Sequence, residues 1–532
     1  MDHNLTCIPY EATGYFSKIV TDYLAQSNAV KPFFEHNPDY KGIRASIAAR
    51  QQFDTPRALL VKVLTSQYAG QKTEEKVNNN IRLLADAKTF TVTTAHQPNI
   101  FTGPLYFIYK IIQTIRLAEE LSVEMPEFNF VPVYYMGSED ADLDEIGHAN
   151  IGGQKIVWET KQAGAVGRMK VDAGFVKLIH AINGQIAVQP FGKALTDLFL
   201  QSYSPGKTIQ DATLALVHAL FGQYGLLVLI PDNAALKAAY QPVIAKELTE
   251  QFSHQLVAET IAEIGKEYKV QAGGREINLF YLLDDKRERI EKSGELYTVN
   301  ALNLSFSQEE ILAELKNYPD RFSANVILRG AFQETILPNI AFIGGGGEIA
   351  YWLELKKVFQ AANIPYPVLL LRNSFLLITK EQEAKWQELN FSVPDFFEKT
   401  FDLTNQLVMR ESANSLQLTD ELAEAKAFYA KLQTLAIAVD KTLAAHVQAL
   451  ETKALHRLTE LEKKMLRAEK RKFETSQKRL EQLKGTLFPA NSLQERVENF
   501  SLYYAKYGND WIKAVCEASS GISRGFAVLR IG

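Results

Sequence analysis

The stretch from Thr91 to Tyr135 constrains this chain more than any other, because a β-branched run, a polar loop, an amphipathic run and a second apolar run follow one another there. Phe90 to Thr94 is short, apolar and β-branched, as a strand buried on both faces should be. Leu105, Ile108, Ile111, Ile112, Ile115 and Leu117 then recur at helical spacing, and Phe130 to Tyr135 reads as the next strand. In an open α/β sheet the loop after such a strand faces the ligand crevice at the strands' carboxyl ends. His96, Gln97, Asn99 and Thr102 lie on that loop. Gly103 and Pro104 set the turn into the helix, whose free N–H groups and positive dipole end favour a phosphate or carboxylate.

Further strand and helix signals alternate from about 90 to 375: Leu226 to Ile230, Ile340 to Ile343, and Pro367 to Leu371. That alternation predicts a mostly parallel sheet in an α/β fold. Residues 1–88 read as a helical segment packing on a core at 89–380, with insertions at about 151–200 and 240–320. One insertion carries an expected hairpin, Ile277 to Leu283 with a turn at Asp284-Asp285-Lys286. Between Pro394 and Gly485 there is neither glycine nor proline. Leu443, Val447, Leu450 and Ala454, then Leu458, Leu461, Met465 and Ala468, form two heptad-like seams, which predicts an α-helical coiled coil over 381–486. If helical throughout, Ser415 to Lys484 would span roughly 100 Å and need a partner, an earlier helix folded back or a second subunit. The rest, 487–532, is expected to return to the core.

Composition narrows the function. A net charge of −4 over 532 residues gives no global attraction to nucleic acid or anionic membrane. The basic helix face at Lys463, Lys464, Arg467, Lys470, Arg471 and Lys472 reads as solvated. Two cysteines, Cys7 and Cys516, make no disulfide framework, and no apolar run reaches spanning length, so a cytoplasmic location is expected.

Three loops are candidates for chemistry. After the first strand stands His96, either an acid, base or phosphate donor or a histidine satisfied within its loop. After the second come Gly137, Ser138, Glu139, Asp140, Asp142, Asp144 and Glu145; five carboxylates within seven residues repel one another unless Mg²⁺ or a substrate ammonium sits among them. Capping of the next helix is the alternative role for Asp142 and Asp144. The third loop, Gly344, Gly345, Gly346, Gly347 and Glu348 before Tyr351, lets backbone approach a nucleotide or sugar closely, or simply makes a tight turn. It is neither a Walker loop nor a spaced dinucleotide fingerprint. Arg275, Asn278 and Tyr281 either reach the cleft or pack the hairpin. Arg329, read as ending a strand Asn325 to Leu328, and Arg372, ending the last strand, bind a carboxylate or make structural ion pairs.

The chain closely resembles the bacillithiol biosynthesis cysteine-adding enzyme family, ligases assigned the addition of cysteine to glucosaminyl-malate. The resemblance rests on His96-Gln97-Pro98-Asn99, Phe101-Thr102-Gly103-Pro104, Gly137-Ser138-Glu139-Asp140, Asn278-Leu279-Phe280-Tyr281, Asn325 to Arg329, Gly344 to Trp352, Pro367 with Arg372, and Leu493-Gln494-Glu495-Arg496. It implies a Rossmann-type, mostly parallel core with connecting-peptide insertions, similar to class I aminoacyl-tRNA synthetases, and a coiled coil that mediates a homodimer. It further implies small-molecule substrates; ligase chemistry calls for ATP or ADP, and the crowded carboxylates leave Asp142 and Asp144 as candidate Mg²⁺ ligands. On that reading His96 and the Thr102-Gly103 turn hold phosphates, with Gln97 and Asn99 beside them. Glu139 and Asp140 bind the cysteine ammonium or a metal, Arg329 or Arg372 anchors the malyl carboxylates, and Gly344 to Glu348 holds the sugar or a nucleotide. The alternatives are a non-catalytic nucleotide-binding scaffold and another nucleotidyl-transfer enzyme on the same core.

Overall fold

Five parallel strands form the centre of the protein in the computed structural model, which describes residues 5–532. They are β1 (Thr89–His96), β2 (Asn129–Met136), β3 (Leu227–Leu229), β4 (Asn339–Gly344) and β5 (Val368–Leu371). Their spatial order is β5-β4-β1-β2-β3, every neighbouring pair parallel. The chain therefore runs outward from β1 to β3, then restarts on the other side with β4. Between β1 and β4 the connections leave in opposite directions, and a crevice opens at the carboxyl ends of the strands.

The strands are apolar because both faces are covered. Phe90, Val92, Ile340, Ile343, Val368 and Leu370 pack with Leu117 and Leu121 of α1 (Tyr106–Glu124) and with Ile43 and Ile47 of the helix Tyr40–Arg50. The α1 helix is buried nearly all round from Phe107 to Ala118, polar Lys110, Gln113 and Thr114 included, since it is enclosed rather than half-exposed.

The run Asn325 to Leu328, read above as a strand, instead opens a helix, α2 (Val326–Ile336). The Asn325 side chain accepts the Ile327 N–H at 2.8 Å and so acts as an N-cap. A three-residue apolar run is too short to carry a period, and the cap decides it. The hairpin is present, with Leu279–Leu283 antiparallel to Lys286–Arg289. A second short helix, α3 (Gly346–Trp352), follows β4.

Contacts divide the chain into two compact units, one of residues up to Leu377 together with Ser492–Gly532, the other Ile378–Asn491. The second is helical. Its long segment is not one helix: Thr419–Val439 and Leu443–Lys470 are separate and fold back on each other, so that Leu418 N–H reaches Glu462. Asp440 makes the break, its extended backbone followed by a carboxylate that accepts both the N–H and the hydroxyl of Thr442 at 2.8 Å. The helical partner expected for the seams is thus an earlier helix. No helix among the described residues is long and apolar enough to cross a membrane.

Candidate active site

A cavity of about 650 Å³ lies beyond the carboxyl ends of β1, β2 and β4. His96, the last residue of β1, lines it. Its ring packs against Tyr106 and Phe107, with centroids 5.3 and 5.4 Å away, and its Nε2 is buried without a hydrogen-bond partner. Burial, then the nearby charges of Lys110, Arg329 and Arg372, hold the imidazole well below its ordinary pKa, so it is neutral. Gln97 also lines the cavity and donates to Asp140 Oδ2 at 3.2 Å.

The rest of that loop is turned to structural use. Phe101 and Thr102 have φ of 52° and 69°, and a Cβ on Gly103 would lie 2.8 Å from Asn99 Cβ, so the turn admits only glycine at 103. Asn499 Nδ2 donates to the carbonyls of Phe101 and Gly103 at 2.8 and 2.6 Å. Phe101 sits among Phe175, Phe199 and Tyr203. Asn99, Thr102 and Gly103 do not line the cavity; one turn into α1, Tyr106 and Lys110 do.

From the β2 loop Ser138, Glu139, Asp140 and Glu145 line it. Glu139 is ion-paired with the buried Lys237, which lies 3.4 Å from Asp232; Asp232 in turn takes a bidentate pair from Arg168 at 2.6 and 2.7 Å. The Ser138 hydroxyl is buried and unpartnered. Burial, and then Asp140 and Asp142, push the Glu145 carboxyl up. Asp142 accepts the Glu145 N–H at 3.0 Å as a helix cap, Asp144 is exposed, and neither lines the cavity. Among the described residues no group of three or more His, Cys, Asp or Glu is arranged to hold a metal ion.

Gly345, Gly346, Gly347, Glu348 and Tyr351 line the side formed by β4 and α3. Gly344 lies within the strand, where a Cβ would meet the Phe342 ring at 2.9 Å. Glu348 accepts the Gly345 N–H at 2.8 Å and pairs with Lys110, whose ammonium also donates to the Ala95 carbonyl at 3.0 Å. Lys110 thereby ties β1, α1 and the glycine loop together across the crevice. Burial lowers its pKa, with Glu348 opposing.

Arg372 and Arg329 both line the cavity but differ in what holds them. Arg372 is buried and pairs with Glu495 at 2.7 Å. Arg329, on α2, is half-buried beside Gly137, and among the described residues no carboxylate lies within ion-pair distance of it. Asn278 and Tyr281 lie outside the lining. Asn278 is buried in a network with Glu247, Ser253 and Asn325, and the Tyr281 hydroxyl donates to Glu314 at 2.7 Å. Their hairpin instead contributes Phe280, Arg287 and Arg289, the loop before it Arg275, and the C-terminal segment Arg496. Lys110, Arg287 and Arg289 were not singled out from sequence, and Arg496 only as part of a motif carrying the resemblance. A lone lysine in an apolar helical run, and two arginines two residues apart on a strand, were the available signals.

Comparisons with known proteins agree with this architecture. The family model described as bacillithiol biosynthesis BshC, N-terminal Rossmann-like domain, matches residues 3–373, and the BshC C-terminal coiled-coil domain matches 375–531. Relatives carrying the name "Putative cysteine ligase BshC" include those of Flavobacterium johnsoniae, 42% identical over 99% of both chains, and Flavobacterium psychrophilum, 39% identical over 98% of this chain and 99% of that one. That of Christiangramia forsetii is 38% identical over 99% of both. A crystal structure titled as a putative arginyl-tRNA synthetase from Campylobacter jejuni aligns with 83% of this chain and 98% of its own, at 11% identity and a TM-score of 0.22, too low to carry an argument. With two domain models in order over nearly its whole length and full-length relatives near 40% identity, the chain belongs to the bacillithiol biosynthesis BshC family.

Proposed function

We propose that the protein is a cysteine ligase of bacillithiol biosynthesis, forming the amide bond between the carboxylate of L-cysteine and the amine of glucosaminyl-malate. The observation that carries the reading is the convergence of His96, Glu139 and Gly345, from three loops far apart in sequence, on one cavity. Full-length relatives bear the name of such a ligase.

A carboxylate is a poor electrophile, and ATP supplies the activation by converting one of its oxygens into part of a leaving group. The cavity suits a phosphate-bearing ligand: seven cationic side chains line it, Lys110, Arg275, Arg287, Arg289, Arg329, Arg372 and Arg496, against the four acids Glu139, Asp140, Glu145 and Glu348. Arg329, with no carboxylate within ion-pair distance among the described residues, and Lys110 would hold its phosphates.

The protein's own groups then do three things. Glu139 and Asp140 bind the cysteine ammonium and orient the sugar amine. Neutral His96, in the tautomer that keeps its single proton on the unpartnered Nε2, donates a hydrogen bond to negative charge developing at the reacting centre. The walls, closed by Tyr106, Tyr135 and Phe280, limit the water that competes with the amine.

Incubating the purified protein with L-cysteine, glucosaminyl-malate and ATP, followed by mass spectrometry, tests the reading. The expected result is a thiol of the combined mass less one water, with AMP or ADP in equal amount. Nucleotide binding with no product and no ATP consumed would make the protein a scaffold instead.

A further inference from the structure

Arg287 and Arg289 alternate on the strand Lys286–Arg289, so both project from one face of the hairpin. Both guanidinium groups lie over the same ring, Phe280, at 3.9 and 5.4 Å from its centroid. All three side chains line the main cavity, and Arg275 joins them from the preceding loop. Among the described residues none of these arginines has a carboxylate within ion-pair distance. Glu139 and Asp140 face Arg287 electrostatically from the β2 loop, but Glu139 is engaged by Lys237 and Asp140 by Gln97. Ser323 Oγ and the Ala324 carbonyl accept from Arg287 at 3.3 and 3.5 Å, which fixes the direction of its fork.

Two like charges stacked on one ring repel each other, and the half-buried one is also denied water. Such an arrangement is stable alone only at a cost, and a ligand with two negative groups removes that cost. A guanidinium offers two parallel N–H donors, the geometry that takes a carboxylate or phosphoryl group bidentately. Two forks held side by side on a flat ring match two such groups a few bonds apart.

We infer that Arg287 and Arg289, seated on Phe280, form a clamp for a compact dianion, a dicarboxylate or a diphosphate, at the hairpin side of the cavity. Arg275 borders it and also lines an adjoining cavity of about 610 Å³ that shares Arg289, so the clamp has space for the body of a ligand on either side. That the dianion is the malyl end of the sugar substrate rests on the ligase reading above. The clamp itself does not.

Titration calorimetry on the full-length protein, with L-malate and with inorganic pyrophosphate as separate probes at fixed ionic strength, tests the clamp. Arg287→Gln with Arg289→Gln together should weaken at least one probe about tenfold or more. Arg289→Gln alone, at an exposed position, should weaken the same probe with folding intact. Arg44→Gln, at an exposed arginine paired with Glu127, should change neither. Loss confined to malate identifies a dicarboxylate clamp, and loss confined to pyrophosphate a diphosphate clamp. Unchanged affinity for both probes in the folded double variant, or no binding of either by the wild type, overturns it. Product formation is measured separately: a wild type that makes the thiol while the double variant keeps the wild-type KM for both the sugar substrate and ATP overturns the clamp and leaves the ligase reading standing. Probe binding lost with the arginines in a protein that makes no product does the reverse.

Discussion

His96 ends β1 in a place where water is scarce and three cations stand near, so its ring is neutral when folded. An unfolded histidine titrates near about 6.5. Below that pH the unfolded chain binds a proton that folded His96 refuses, and stability falls as pH drops from about 7 towards 5, by up to about 1.4 kcal/mol per pH unit. Thermal melts of the wild type and His96→Gln over that range should diverge, with the variant losing less; parallel curves would count against a neutral, buried imidazole. The cysteines can be judged on the same physical basis. Burial, followed by Glu119, pushes the Cys516 thiol up to about 12, so it is protonated at neutral pH, and Cys7 lies exposed on a strand paired with Phe526–Ile531. A Cys7→Ser, Cys516→Ser double variant should keep its kcat within about twofold, and loss of turnover with folding intact would make one of them a nucleophile. At this scale the sequence revealed residues placed by strand ends: His96, Glu139 and Asp140 follow short apolar runs directly. Lys110 was hidden because its reason for being in an apolar helix, Glu348, lies on another loop.

Among the elements, the helix Tyr40–Arg50 is fastened to the sheet by its last residue. Arg50 donates to the Asn339 and Glu334 carbonyls at 2.9 and 2.7 Å and pairs with the Glu334 carboxylate at 2.6 Å, both side chains almost fully buried. Removing the cation leaves Glu334 in a site whose burial already raises its pKa. Arg50→Met should therefore cost about 3–5 kcal/mol in chemical denaturation, and adding Glu334→Met should recover much of it. A single variant as stable as the wild type would contradict this account. The strands of the sheet were readable because each is buried on both faces and so built mainly of apolar and β-branched residues. Two elements were not. The α2 helix looked like a strand because Asn325, its cap, resembles a loop residue until its hydrogen bond to Ile327 is seen. The helical hairpin looked like one helix because Asp440 breaks it by a local carboxylate turn, without glycine or proline to mark the place.

Over the whole molecule, the strand order sets where the loops meet, and that order was only partly implied by alternating strands and helices. The crevice was foreseeable from the β1 unit; of its cationic covering only Arg275, Arg329 and Arg372 were candidates. Arg275, Arg287 and Arg289 come from an insertion, and Arg496 from the C-terminal return, and their approach to β1 is a long-range fact that no local spacing contains. The same long-range contacts separate two arginines that look alike in sequence. Arg372→Gln would strand the buried Glu495, whereas Arg329→Gln strands no acid among the described residues. Arg329, which hydrogen-bonds Tyr351 and faces Asp140 without an ion pair, is therefore the better reporter of chemistry of the two. The most direct measurement is kcat/KM for ATP-dependent thiol formation by Arg329→Gln beside its unfolding midpoint. The account predicts a fall of about 100-fold or more with the midpoint unchanged. A folded Arg329→Gln protein that forms product at the wild-type rate would contradict the claim that this crevice is where the amide bond is made.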